Sequence, residues 1–212
     1  MAAMLMGAWS LQSCDNEPTK EVWLDEFGQD SCYVQDWGML EVNRSVVHTP
    51  LTVNGVVYER GLGAHSISRL LYDLDGKAVS ISGLAGADDK NLFAGKLQFK
   101  ILGDKKELWK SGVMQKGDPV KEFNVNLKGV DKVLLLVEEC GDGIMYDHAD
   151  WLNVKITTRG DVKPVPAWAK PVAKEKYILT PPAPESPVIN NPLVYGARPG
   201  NPFLWSVMAT GN

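Results

Sequence analysis

Between Val22 and Thr158 the chain breaks into short β-rich segments punctuated by Gly, Asn, Asp and Lys turns, and no stretch of about ten residues or more carries a helical stripe. Leu97, Phe99 and Ile101 alternate with Lys96, Gln98 and Lys100, and Phe123, Val125 and Leu127 alternate with Asn124 and Asn126. A period of two puts one face of each strand in a core and the other in water. Leu51 to Tyr58 carries Asn54-Gly55 between two β-rich arms, the signature of a type I′ hairpin. Further strands are predicted at Ile67 to Leu74, Val79 to Leu84, Leu97 to Leu102, Glu107 to Trp109, Phe123 to Leu127, Val133 to Val137 and Leu152 to Ile156. Many short strands without helices predict an all-β fold, a β-sandwich or jelly roll.

The most apolar run, Val133 to Val137, leads into Cys140 to Trp151, C-G-D-G-I-M-Y-D-H-A-D-W. This segment is too rich in Gly and Asp to continue as a strand and is predicted to be a loop, with Trp151 to Ile156 leaving it as the next buried strand. Three carboxylates, a histidine, a tyrosine and a tryptophan on one loop make it the expected functional rim.

A formal net charge of −4 and a pI near 5.4 offer no clustered Lys/Arg surface for phosphates, so no nucleic-acid partner is expected. Seven tryptophans supply flat apolar platforms suited to the C–H faces of neutral sugars. Cys14, Cys32 and Cys140 are too few for a disulfide scaffold; Cys32 and Cys140 could pair or lie buried as small apolar residues. No apolar run reaches the length of about 18 residues that a membrane-spanning helix needs.

The two ends read differently from the middle. Residues 1–20 look like a leader and spacer. Met1 to Ser13 is apolar, Leu11-Gln12-Ser13-Cys14 resembles a bacterial lipobox with Cys14 as the lipidated residue, and the acidic residues that follow resemble the export signal of Bacteroidetes surface lipoproteins. No Lys or Arg precedes the apolar run. That resemblance implies a cell-envelope or extracellular location, with the membrane reached only through a lipid anchor. Residues 160–187 hold seven of the chain's 13 prolines and are predicted to be an extended linker, and 188–212 looks like the truncated start of another domain.

Several motifs occur in one order: Trp37-Gly38; Gly61-Leu62-Gly63-Ala64-His65-Ser66 followed by Arg69 to Leu74; Gly86-Ala87-Asp88-Asp89; Leu108 to Met114; and Gly141 to Trp151. Together they resemble the NPCBM family of carbohydrate-binding modules, with residues 21–159 as the module. The resemblance implies a β-sandwich of the galactose-binding-domain-like type, attachment to a secreted glycoside hydrolase, terminal galactose-containing glycans as ligands, and a structural calcium; a monomer is expected. Where the family often has an Asp, this chain has Asn43. Pro187 to Pro192 and Tyr195 to Phe203 resemble the small Ig-like domain that precedes the barrel of Bacteroidetes α-galactosidase-like hydrolases.

A neutral sugar needs hydrogen-bond acceptors, a donor and an aromatic platform. Trp37, Asn43, His65, Asp142, Asp147, His148 and Asp150 are the candidates, with Trp37 preferred to Trp151 as platform because Trp151 begins a predicted core strand. Asp150 has a turn, and His65 and His148 a cross-rim hydrogen bond, as plain structural alternatives. Asp88 and Asp89 are the candidate calcium ligands, with an ordinary turn as the alternative. Loop carboxylates acting as a glycosidase pair, zinc held by His65, His148 and an Asp, and a spacer module without a site are the competing functions.

Overall fold

The computed structural model describes residues 17–31, 33–93 and 95–167, together with 188–189, 200 and 209–210. The leader and Cys14, Cys32, the linker from residue 168, and most of the segment likened to an Ig-like start lie outside them. Within 171–212 the described strands are Val188–Ile189 and Ala209–Thr210, which pair antiparallel.

The unit ending at Lys170 is built of two antiparallel six-stranded sheets. In chain order its strands are β1 (Lys20–Trp23), β2 (Tyr33–Gln35), β3 (Glu41–Val42), β4 (Leu51–Val53), β5 (Val56–Tyr58), β6 (Gly61–His65), β7 (Ser68–Asp73), β8 (Ala78–Ala87), β9 (Leu97–Gly103), β10 (Lys106–Met114), β11 (Lys121–Asn126), β12 (Lys132–Glu139), β13 (His148–Thr158) and β14 (Lys163–Val165). One sheet runs β11-β8-β13-β6-β3, with β1 beside the second half of β13; the other runs β10-β9-β12-β7-β14, with β2 beside the first half of β7.

The alternation seen in the sequence is what closes the sandwich. Phe99 and Ile101 of β9 and Leu135 and Val137 of β12 face Ile81, Ala85, Phe123, Trp151 and Ile156 of the other sheet, all nearly or fully buried. Trp151 meets Phe99 and Phe123 edge-on, at centroid distances of 4.9 and 5.7 Å, an arrangement aromatic rings prefer. It is therefore a core residue and no platform.

The outer face of the first sheet is partly roofed. Asn54 and Gly55 both take positive φ, 48° and 77°, as a type I′ turn requires, and the β4–β5 hairpin lays Leu51 and Val53 over Leu152. Gly86 makes room for it, since a Cβ there would stand 2.7 Å from Val53 Cγ1.

Among the strand boundaries that differ from expectation, such as the one predicted at Glu107 to Trp109 and found at Lys106–Met114, two bear on the site and on the chain's exit. The strand after the predicted loop begins at His148, not Trp151, because His148 to Leu152 find β6 on one side while Ala149 to Leu152 find β8 on the other. The sandwich also continues past residue 159. Lys163, Pro164 and Val165 pair with Asp73, Tyr72 and Leu71 at a sheet edge, where a proline's missing N–H is tolerated.

Candidate functional site

Three aromatic rings converge at the unroofed end of the outer face. β6 and β13 pair His65 directly with His148, and their ring centroids lie 5.5 Å apart. Trp37 closes the group, nearly parallel to His148 (9°, 5.9 Å) and tilted against His65 (4.9 Å). The tryptophan is held in place by Gln35, whose Nε2 donates to Trp37 O while its Oε1 accepts from His65 N. At 49% exposure Trp37 still offers much of its surface, whereas His65 and His148 are 3% and 7% exposed.

The histidines are fixed as neutral groups. His65 Nδ1 lies 2.7 Å from Ser66 O, a carbonyl that can only accept, so Nδ1 carries the proton and Nε2 keeps its lone pair. Burial pushes the His65 imidazole below its ordinary range. Burial does the same to His148, helped by the neighbouring His65. Asn91, fully buried, brackets the His148 backbone by accepting from its N–H and donating to its carbonyl, and Asp88 N–H adds a second donor to that carbonyl. His148 Nδ1 is buried and has no protein partner.

These rings form one wall of a cavity of about 610 Å³, within the range of about 300–1,000 Å³ common for small-molecule sites. Val47, Thr49, Lys90, Leu92, Ile144, Met145 and Tyr146 also line it. The edge contact of Phe93 with Tyr146, 5.0 Å between centroids, ties the loop that carries Leu92 to the loop that carries Ile144 and Met145.

None of the predicted aspartates lines this cavity. Asp147 is fully buried and accepts from Ser66 Oγ, bracing the turn behind His65; burial pushes its carboxyl up to about 6. Asp150, also fully buried, stands between Gly63 and Gly86 in the sheet beside Asp88, and burial, then Asp88, raises it well above the carboxylate range. Its oxygens have no hydrogen-bond donor from the protein; a protonated Asp150 carboxyl has the Asp88 carboxylate as its acceptor. Asp142 is exposed and accepts from Lys96 N. Asn43 spends its side chain on Gly61 N and its own N–H on Gly61 O, which stitches the loop after β3 to β6.

The carboxylates offered for calcium are similarly engaged. Asp88 accepts from Thr52 N and Lys90 N, and Asp89 accepts from Asn54 N and Gly55 N, so all four oxygens face backbone donors and latch the hairpin. That donor set fits a hairpin clamp and leaves these two residues little to give a hard cation. Among the described residues no group of three or more His, Cys, Asp or Glu is placed to hold a metal ion, zinc included. Cys140 carries a free thiol whose pKa is raised by burial first and by nearby carboxylates.

The sequence reading missed Asn91 and the apolar residues of the cavity. Asn91 sits among turn residues, and nothing in its local sequence says that it clamps a strand far along the chain. Met145 and Tyr146 lie within the singled-out Cys140 to Trp151 stretch, but its charged residues outweighed them.

The model of the NPCBM/NEW2 domain matches residues 20–157. Alpha-1,3-galactosidase B of Akkermansia muciniphila is 29% identical over 130 residues, 59% of this chain and 16% of that protein. A putative endo-alpha-N-acetylgalactosaminidase of Renibacterium salmoninarum is 29% identical over 154 residues, 70% of this chain and 10% of that protein. The chain thus spans only a small part of either relative. Among solved structures, the CBM51 of Clostridium perfringens GH95 in complex with methyl-galactose aligns with a TM-score of 0.58 at 25% identity, covering 65% of this chain and 99% of that one. With the match running from the first strand of the sandwich almost to the end of β13, the chain belongs to the NPCBM/NEW2 domain family.

Proposed function

We propose that the sandwich is a non-catalytic module that binds neutral sugars of the galactose type and holds an attached glycoside hydrolase, α-galactosidase-like, near its glycan. The observation that carries this reading is the meeting of Trp37, His65 and His148 at one open cavity. A pyranose stacks its C–H face on the exposed indole while its hydroxyls donate to imidazole lone pairs held neutral by burial. The methyl-galactose bound by the Clostridium perfringens relative supports the ligand class. No carboxylate lines the cavity, so the acid and nucleophile of a glycosidase are not positioned there. Calcium is not needed for the sugar contact in this reading, and retention on a galactose matrix should survive a chelator. Anchoring at the cell envelope through Cys14, action as a monomer, and a linker that raises the hydrolase's local concentration complete the proposal.

Affinity chromatography and calorimetry test it. Trp37→Ala should weaken galactoside binding at least about tenfold, about 1.4 kcal/mol, with little change in melting temperature because the ring is half exposed. Unchanged affinity in both Trp37→Ala and His148→Ala would place the sugar elsewhere. Release of product from an aryl galactoside, abolished by Asp147→Asn, would replace the binding reading with catalysis.

A further inference from the structure

Resting on the sugar-binding reading, we infer that Asn91, which does not line the cavity, is the positioning residue that sets where the His148 imidazole meets the sugar. β8 accompanies β13 only as far as the pair Ala87 and Ala149, one residue short of His148. The chain then enters a turn, and the Asn91 side chain takes the place of the missing strand. Its Oδ1 accepts from His148 N at 2.9 Å, and its Nδ2 donates to His148 O at 3.1 Å. A carboxamide offers the same donor and acceptor as a peptide group, so it extends the ladder by one rung. On the other side, His65 N donates outward to Gln35 Oε1. His65 and His148 thus oppose each other with these backbone groups engaged elsewhere, the kind of pair in which cross-strand side chains come closest.

Asn91 is itself held from two directions. Its N–H donates to Asp88 O within the turn, and its carbonyl accepts at 2.8 Å from Nζ of Lys116, a residue of the turn between β10 and β11. Because Asn91 is fully buried, removing its amide leaves His148 N–H without a partner, a loss the strand end can relieve only by shifting. Such a shift moves a ring whose lone pair serves a sugar hydroxyl only at hydrogen-bond distance.

Calorimetric titration of the full chain with methyl galactoside tests this through a double-mutant cycle. Asn91→Ala should weaken binding about tenfold. In a His148→Ala background the same change should have little further effect, because the ring it positions is gone. Proton NMR gives a second readout: of the chain's three histidines, His148 and His65 should shift their ring signals in Asn91→Ala while exposed His48 keeps its own. A purely structural Asn91 would lower the melting temperature and leave the affinity of the folded protein unchanged. That result, or losses that simply add across the cycle, would overturn the inference while the sugar-binding reading stands. Should Asn91→Ala fail to fold, Lys116→Met removes the brace from an exposed position; its expected loss is about twofold to threefold, and unchanged affinity overturns the inference. An unmodified protein that binds no methyl galactoside would sink that reading and this inference together.

Discussion

β6 and β13 present the same outer face twice, with opposite outcomes a few residues apart. At Leu152 the β4–β5 hairpin covers the face with Leu51 and Val53, and the result is a dry cluster. At His65 and His148 no hairpin reaches, and the same two strands hold imidazoles beside an exposed indole. Between the two halves stands Asp150, flanked by Gly63 and Gly86, whose absent side chains let the Arg44–Ser45 backbone and the Val53 side chain of the hairpin settle close to the sheet. The site is thus made less by any unusual residue than by where the roof stops. Strand pairing sets the rings in register, and the missing cover leaves them accessible.

If the halves are as different as this, breaking one should spare the other. Leu152→Ala opens the roofed half and should cost about 2–5 kcal/mol in denaturant unfolding while folded protein keeps its galactoside affinity. Lost affinity at full stability would show that the two halves are one unit.

Asp147 sharpens the contrast from beneath the open half. Its carboxyl is raised from 3.8 to about 6, so its contribution to stability is fully present below the unfolded value and lost as pH climbs through the folded one. Asn cannot titrate. Stability of Asp147→Asn relative to the unmodified protein should therefore rise by at most about 1.4 kcal/mol per pH unit between about 4 and 6, then level off. A flat difference across that window would mean that Asp147 ionises as freely in the fold as out of it.

The smallest effect expected is on binding itself. His65 and His148 are both lowered from 6.5, which favours the neutral rings at pH 7. Galactoside affinity should hold steady down to about 6.5 and fall severalfold as acid protonates the rings, the direction set by a form that loses its acceptors. Affinity that increases on acidification would reverse the roles assigned to the imidazoles.

Much of this was legible in the chain before any coordinates. Strict alternation around Phe99 and Phe123 is a direct image of a two-layer core, and Asn54-Gly55 specifies its turn through backbone sterics alone. The ring trio was legible too, because Trp37 adjoins Gly38, His65 follows the Gly61-Leu62-Gly63-Ala64 run and His148 ends a polar loop. The fate of the aspartates was not. Asp88, Asp89 and Asp147 look the same in sequence whether they face a ligand or a backbone N–H, and only tertiary pairing decides. Likewise β13 starts early because its neighbours supply Gly63, Ala64 and Gly86, partners that no local propensity of His148 or Asp150 reveals. Pro164 hid β14 for a related reason: a proline excluded from inner strands is welcome on a rim.

That last strand has a mechanical meaning. The polypeptide does not leave the fold at a loose corner; it is first zipped onto Leu71, Tyr72 and Asp73, with Val162 and Ala167 tucked in on either side. Tension applied beyond Ala167, as when a tethered partner tugs against a held glycan, must tear that short seam before it can reach the layers that shape the ring pocket. Lys163 to Val165 would then act as a strain relief, yielding first and leaving the grip intact.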